Sequence, residues 1–375
     1  MVTTIQVWSD MKTAKSEEAR AAQFDSFISA MKKERPGEVL RLDDDNMDME
    51  IVCIPTGAIS LDVAIGRGGF PRGRIIELFG PEMSGKTSLA LSVAAQCQKA
   101  GGKVGFIDAE HALDRKHAID MGVDPHSIVI YQPSSGEDAI DMVDKMIESK
   151  GFDMVIVDSV AALTPQAELD GEIGDHQMAL HARLMSKWMR RISEPVAKTD
   201  TMLVLINQIR KDLQSYGAPD TTTGGRAIKF QASLRIEIRS AQGKKIVGAN
   251  KEVIGQTCVA TVKKNKIGSP YKVAEYDLIF GKGIQAGGSL LEVCVPLGII
   301  TRTGSSYTEV ATGLRIAIGK DAAKVAIDSD PEMAARLEAA VYAALRAIPD
   351  EASLVSADDP ESASDEIDDE LLLSE

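Results

Sequence analysis

The segment Gly80-Pro-Glu-Met-Ser-Gly-Lys-Thr87 constrains the fold more than any other part of the chain. It fits G-x-x-x-x-G-K-[ST], a loop whose backbone N–H groups cradle nucleotide phosphates. Such a loop needs a strand before it and a helix after it. Residues 74–79 (Arg-Ile-Ile-Glu-Leu-Phe) read as a buried strand, and residues 88–96 read as a helix. That geometry aims backbone donors and a helix N-terminus at anionic oxygen. Gly80 and Gly85 permit backbone angles that a side chain would obstruct. Pro81, Glu82, Met83, Ser84 and Ser88 complete the expected cradle. Lys86 is expected to reach the β/γ-phosphates, and the Thr87 hydroxyl to ligate Mg²⁺. A chance glycine-rich turn is the alternative, and the flanking strand and helix argue against it.

Around this loop the pattern alternates. Short Val/Ile-rich runs recur at 75–79, 104–108, 128–131, 154–158, 202–206, 234–238, 258–262 and 276–280. Helical stretches separate the first five, which predicts a mostly parallel sheet covered on both faces. The last three follow without long helices, so an antiparallel extension is expected there. Glycines crowd 281–288 and mark a boundary, beyond which a small α+β unit ends in a helix over 331–347. Ahead of the core, residues 16–33 carry apolar positions at helical spacing. The expected division is 1–50 (helical arm and linker), 51–282 (ATPase core), 283–349 (small α+β domain) and 350–375 (acidic, disordered tail).

In an open α/β sheet, ligands sit beyond the carboxyl ends of the strands. Asp158 follows four apolar residues and matches the strand-end carboxylate that holds Mg²⁺ through water. A buried carboxylate is costly without a cation, so the metal also explains the Asp; a helix N-cap is the plainer alternative. Glu110, just past another strand end, is a candidate general base or water-positioning group, or a surface Glu in a first helical turn. Gln208 ends the strand that leads into a glycine-containing loop, and its amide can donate or accept. That placement suits a sensor of the γ-phosphate.

Charge and cysteine content narrow the classes. The formal charge of −14 is uneven: eleven acidic residues and no Lys or Arg lie in 350–375, leaving −3 for residues 1–349. The tail reads either as a solubility element or as a mobile anion that competes with DNA for basic loops. Cys53, Cys97, Cys258 and Cys294 lie far apart with no C-x-x-C pair, against a zinc site or disulfide scaffold and for a reducing cytoplasm. No apolar run reaches membrane-spanning length, and the N-terminus lacks a signal-peptide layout.

Together, seven strings resemble the bacterial RecA recombinase family: Gly80 to Thr87; Phe106-Ile-Asp-Ala-Glu-His-Ala-Leu-Asp114; Val157-Asp-Ser-Val-Ala-Ala-Leu-Thr-Pro165; Gly171-Glu-Ile-Gly-Asp175; Asn207-Gln-Ile-Arg210; Thr221-Thr-Thr-Gly-Gly225; and Lys263-Lys-Asn-Lys266. The resemblance implies a RecA-like P-loop NTPase core that polymerises on single-stranded DNA with ATP and Mg²⁺. It implies pairing of that strand with homologous duplex DNA, strand exchange, and self-cleavage of a LexA-type repressor in the SOS response. By the match, Glu110 and Lys86 are catalytic and Gln208 senses the γ-phosphate. Asp114 and His117 lie at the nucleotide, and Lys264 and Lys266 reach the ATP of an adjacent subunit. The two DNA loops fall on about 168–178 and 209–225. Met178, Arg183, Arg190, Arg210, Leu213, Tyr216, Thr222, Gly224, Gly225 and Arg226 are the expected DNA contacts, and Phe230 the interface residue.

The residues themselves support part of this. Arg183, Lys187 and Arg190 share one helix face, which reads either as a phosphate-binding surface or as a solvated basic face. Leu213 and Tyr216 are suited to wedging between or stacking on bases. Several positions depart from the family pattern. Met83 stands where Ser is common, and His117 where an aromatic covers adenine. His176-Gln177 alter the first loop, and Asp212 replaces a basic residue in the second. A closed-ring motor on the same core and a non-hydrolysing scaffold are the alternatives.

Overall fold

The computed structural model describes residues 14–37, 39, 41, 51–171, 180–210, 221–248 and 250–347. The arm, residues 1–51, forms one unit and the rest of the chain another. Within the arm, α1 spans Ala14–Glu34. Its Phe24 and Phe27 are exposed, and the Arg41 guanidinium lies 5.4 Å from the Phe24 ring and 2.8 Å from Asp25.

The second unit opens with β1 (Cys53–Ile54), α2 (Ile59–Ile65) and β2 (Phe70–Pro71), β1 and β2 pairing with each other. The main sheet then begins with β3 (Ile75–Gly80), the phosphate loop, and α3 (Lys86–Lys99). β4 (Val104–Asp108), α4 (Arg115–Asp120), β5 (Ile128–Tyr131), α5 (Gly136–Glu148) and β6 (Met154–Asp158) continue the alternation. The short α6 (Gln166–Leu169) and long α7 (Leu180–Thr199) lead to β7 (Met202–Arg210). β8 (Thr221–Thr222) and α8 (Ala227–Gln231) precede the hairpin of β9 (Leu234–Val247) and β10 (Val253–Asn265). β11 (Val273–Ile279) and β12 (Gly283–Gln285) finish the sheet, whose order is β12-β11-β10-β9-β3-β7-β6-β4-β5, with β8 paired to β7.

β3, β4 and β6 are buried along their whole length. Helices on both faces leave such strands no solvent-facing side, which explains their Val/Ile/Leu-rich runs, with Glu77 of β3 a buried exception. Each βα turn then presents a helix N-terminus at one end of the sheet. α5 is fixed there by Ser135, whose hydroxyl accepts from Asp138 N at 3.2 Å, and by Glu137 and Asp138 in its first turn.

One expectation is corrected. The antiparallel extension starts at β10, because β9 pairs with β3 in parallel. A parallel partner needs a long crossover. The segment between β7 and β9, read from sequence only as a loop, supplies it and includes α8.

α7 divides its faces sharply. Met185, Trp188, Met189, Ile192 and Val196 are buried, while Arg183, Lys187 and Arg190 are exposed. Trp188 Nε1 donates to Asp144 of α5 at 3.1 Å, and Arg191 pairs with the same carboxylate. Losing a buried Trp of this kind costs about 3–5 kcal/mol. Burial nevertheless pushes Asp144 above the usual carboxylate range, against both donors.

After β12 come α9 (Ala286–Cys294), the three-stranded sheet β13 (Ile300–Thr303), β14 (Ser306–Glu309) and β15 (Arg315–Ile318), then α10 (Lys320–Ser329) and α11 (Pro331–Ala347). Leu290, Leu291, Ile300, Tyr307, Ile327, Leu337 and Val341 form their common core, which also takes Ile59 of α2. Asp62 of α2 is fully buried at this junction. It accepts from Thr56 N at 3.0 Å and from the Tyr342 hydroxyl at 2.7 Å. Burial pushes it up to about 7, against those two donors and with the Glu338 carboxylate adding to the rise. Among the described residues no helix is long and apolar enough to cross a membrane.

Candidate nucleotide and DNA site

The carboxyl ends of β3, β4, β6 and β7 converge on the phosphate loop. Two glycines make the loop possible. A Cβ on Gly80 would sit 2.0 Å from the Ile238 carbonyl of β9, and Gly85 has φ +93° with Cys258 Sγ and Leu278 Cδ2 each 3.2 Å from where its Cβ would be. β9, β10 and β11 therefore press the loop from below. Met83 has φ +57° and is almost wholly exposed, so its side chain does not enter the cradle.

The loop has room for an anion. The Ser84 hydroxyl is buried without a hydrogen-bond partner. Lys86 is nearly buried, and its ammonium donates to the carbonyls of Gly80 and Pro81 at 3.1 and 2.6 Å. Burial pulls the Lys86 pKa down, while Asp158, Glu110 and Glu82 pull it back up. A buried cation satisfied only by carbonyls, beside an orphaned hydroxyl, fits phosphate oxygens.

The Thr87 hydroxyl donates to Asp158 Oδ2 at 2.6 Å. Burial pushes Asp158 up to about 6; the Glu110 and Asp108 carboxylates add to the rise, and the Thr87 hydroxyl and Lys86 oppose it. A hydroxyl and a crowded carboxylate side by side form a donor set suited to a hard cation. Glu110 stands across from them, its Oε1 accepting from Ser159 Oγ at 2.5 Å and from Gln208 Nε2 at 3.0 Å. Asp108 is turned to a structural task, accepting from the N–H groups of Ala112 and Leu113 and from Gln132 Nε2.

A cleft of about 260 Å³ runs from the loop, lined by Met83 to Ser88, His117, Gln256, Leu278, Ile279 and Phe280. Asp114 caps α4, accepting from His117 N at 2.9 Å, and His117 Nε2 lies 3.3 Å from Ser88 Oγ. Asp114 thus positions His117 rather than facing the cleft itself. Gln256, Leu278, Ile279, Phe280 and Ser159 are the site residues that sequence reading missed. The first four come from β10, β11 and the residue that follows, where the register Gln256↔Leu278 decides which side chains face the cleft. Nothing local in the sequence marks that choice.

The DNA-side candidates separate into two groups. Arg183 and Arg190 lie on the exposed face of α7, and Arg226 is exposed just before α8. Thr222 pairs across to Ile209, closing the base of the second loop, while Gly224 and Gly225 have φ +91° and +72°. The hydroxyls of Thr222 and Thr223 are buried without partners. Arg210 ends β7. The Arg210 side chain, Met178, Leu213 and Tyr216, and the altered His176, Gln177 and Asp212, lie outside the described residues.

Phe230 is 70% exposed. Lys264 donates to the carbonyls of Lys229 and Phe230 at 2.7 and 2.8 Å. Its pKa is lowered by partial burial and by the nearby Lys266 and Arg235 charges. Lys266 is exposed.

A parallel sheet flanked by helices, with a phosphate loop between strand and helix and an Asp ending a neighbouring strand, defines a P-loop nucleotide-binding ATPase with RecA-like topology. The sequence profile of the RecA N-terminal domain matches residues 24–285. The chain is 44% identical to Protein RecA of Bacteroides thetaiotaomicron over 88% of its own length and 99% of that protein. It is 42% identical to Protein RecA of Corynebacterium urealyticum over 90% of each chain. With Protein RecA of Methylococcus capsulatus it shares 44% identity over 81% of its length and 87% of that protein. The chain belongs to the RecA family. It is a DNA-dependent ATPase and a DNA recombinase of recombinational repair, which binds nucleotide and DNA and assembles with copies of itself.

Proposed function

We propose that the chain forms a helical filament on single-stranded DNA with ATP and Mg²⁺ held between successive subunits, pairs it with homologous duplex and exchanges strands. A head-to-tail contact that does not close is what generates such an open helix. The observation that carries this reading is the convergence of Lys86, Thr87, Asp158, Glu110 and Gln208 at one end of the sheet.

In this reading Lys86 leaves the Gly80 and Pro81 carbonyls for the β- and γ-phosphates. Thr87 and Asp158 would hold Mg²⁺, and the bound ion would neutralise phosphate charge. Glu110 orients the attacking water and takes its proton. Ser159 and Gln208 hold the Glu110 carboxylate in place, and Gln208 is poised to exchange that bond for one to the γ-phosphate. The apolar wall of Leu278, Ile279 and Phe280 takes the base, with His117 opposite.

Lys264 and Lys266 serve the nucleotide of the adjoining subunit, Lys264 giving up its two carbonyl partners to do so. Phe230 packs in that same seam. Arg183, Arg190, Arg210 and Arg226 contact phosphates, which gives salt-dependent binding with little sequence preference. Met178, Leu213, Tyr216, Thr222, Gly224 and Gly225 complete the DNA surface. The domain division at 50, 282 and 349, activation of LexA-type repressor self-cleavage, and cytoplasmic location belong to the same proposal. Four free cysteines, with burial pushing Cys97 and Cys258 up to about 11 and Cys53 and Cys294 up to about 12, suit a reducing compartment.

Lys86→Ala tests the core of the reading. ATP-dependent strand exchange between single-stranded circles and linear duplex should disappear; exchange at the wild-type rate would end the assignment.

A further inference from the structure

Behind the nucleotide site lies a buried polar chain that none of the roles above uses. Glu77, in the middle of β3, is fully buried. Arg235 of β9 pairs with its Oε2 at 2.5 Å, and that guanidinium lies 4.5 Å from the Phe79 ring. Asn207 of β7, also fully buried, donates from Nδ2 to Glu77 Oε1 at 2.9 Å. The same Nδ2 donates to the Thr223 carbonyl at 2.9 Å. Asn207 Oδ1 accepts from the backbone N–H of Gln208 at 2.9 Å. Both amide protons and the amide oxygen are therefore used.

Stability alone does not call for this arrangement. Burying an ion pair where apolar residues fit is often neutral or unfavourable. What the arrangement does is join three parts of the molecule. Glu77 lies three residues before the phosphate loop. Thr223 lies on the return limb of the 209–225 segment, beside two buried hydroxyls that lack partners, those of Thr222 and Thr223. Gln208 holds Glu110. One side chain, anchored by Glu77 and Arg235, thus grips both the return limb and the Gln208 backbone.

The geometry points to Asn207, held by Glu77, as the positioning residue that transmits the state of the return limb to Gln208 and Glu110. The inference rests on the reading that the 209–225 segment binds DNA. A limb displaced by DNA pulls on the Asn207 amide and shifts the Gln208 backbone with it. The coupling is reciprocal, so nucleotide bound near Gln208 alters the limb in turn.

The test compares ATP turnover with and without single-stranded oligo-dT in the full chain. Asn207→Ala should lower the ratio of DNA-stimulated to DNA-free turnover about tenfold, the worth of one or two buried hydrogen bonds. A purely structural role would lower both rates together and leave the ratio intact. The swapped pair Glu77→Gln with Asn207→Asp rebuilds the β3–β7 bond with reversed polarity, yet leaves the Thr223 carbonyl without its donor. It should melt below the wild type, since Arg235 loses its carboxylate and the Thr223 carbonyl its donor, with the ratio staying low, and where it folds it decides the matter alone if Asn207→Ala does not fold. A wild-type ratio in the swapped pair, or in Asn207→Ala, overturns the proposal. Failure of the underlying reading shows elsewhere: a wild-type chain that DNA does not stimulate removes both, whereas a stimulated wild type with an equally stimulated variant removes only the coupling.

Discussion

The two halves of the main sheet build the nucleotide site by different means. In the parallel half, β3, β7, β6 and β4 are buried throughout or nearly so, and the residues proposed to act sit at or just past their carboxyl ends: the phosphate loop, Gln208, Asp158 and Glu110. In the antiparallel half, β10 and β11 alternate buried and half-exposed positions, and their faces supply the cleft wall with Gln256, Leu278 and Ile279. A buried parallel strand can only offer chemistry where it ends, because helices cover both its faces. An antiparallel strand with one open face can offer it along its length. The parallel half therefore reads as the catalytic side and the antiparallel half as the side that grips and positions.

That division predicts which kinetic constant each substitution moves. Glu110→Gln removes the proposed base and should lower kcat of DNA-stimulated hydrolysis about 10²–10⁴-fold with nucleotide binding kept. A single-turnover assay at saturating ATP checks it, and unchanged turnover would take Glu110 out of the chemistry. Phe280→Ala strips the apolar wall and should weaken nucleotide affinity about tenfold, the value of an aromatic contact, with kcat little changed. Fluorescent-nucleotide titration reads this. A fall in kcat at unaltered affinity would break the division between the halves.

An effect on stability with none expected on catalysis lies outside both halves, at the junction of α2 and α11. With its pKa raised to about 7 from 3.8, folded Asp62 keeps a proton that the unfolded chain releases. The folded state therefore binds more protons between those values, and this group's contribution to stability falls as pH rises through that window. Asp62→Asn keeps an acceptor for Thr56 N and removes the titration. The variant's melting temperature relative to wild type should rise by about 5–10 °C between acid and alkaline buffer. A gap that stays constant with pH, or shrinks as pH rises, would show that the buried carboxyl is not protonated in the fold.

Much of this was legible in the residues themselves. The phosphate loop motif needs a strand, a turn and a helix N-terminus in sequence order, so eight consecutive residues determine their own local structure. The strand ends that carry Asp158 and, two residues past Asp108, Glu110 were legible for a related reason: an apolar run ending in a carboxylate marks a strand end, and in a parallel sheet strand ends gather. The direction of β9 was not legible, because a parallel partner depends on a crossover that looked like a loop. Nor were Gln256, Phe280 or Ser159, which reach the site through register, turn geometry or a neighbouring strand. The Glu77, Asn207 and Arg235 chain is the clearest case. Its members are 130 and 158 positions apart in sequence, and only adjacency of β3, β7 and β9 brings them together. Local backbone preference and hydrophobic period are written residue by residue. Which buried polar group meets which is decided by strand order, and that depends on the whole sheet closing around its core.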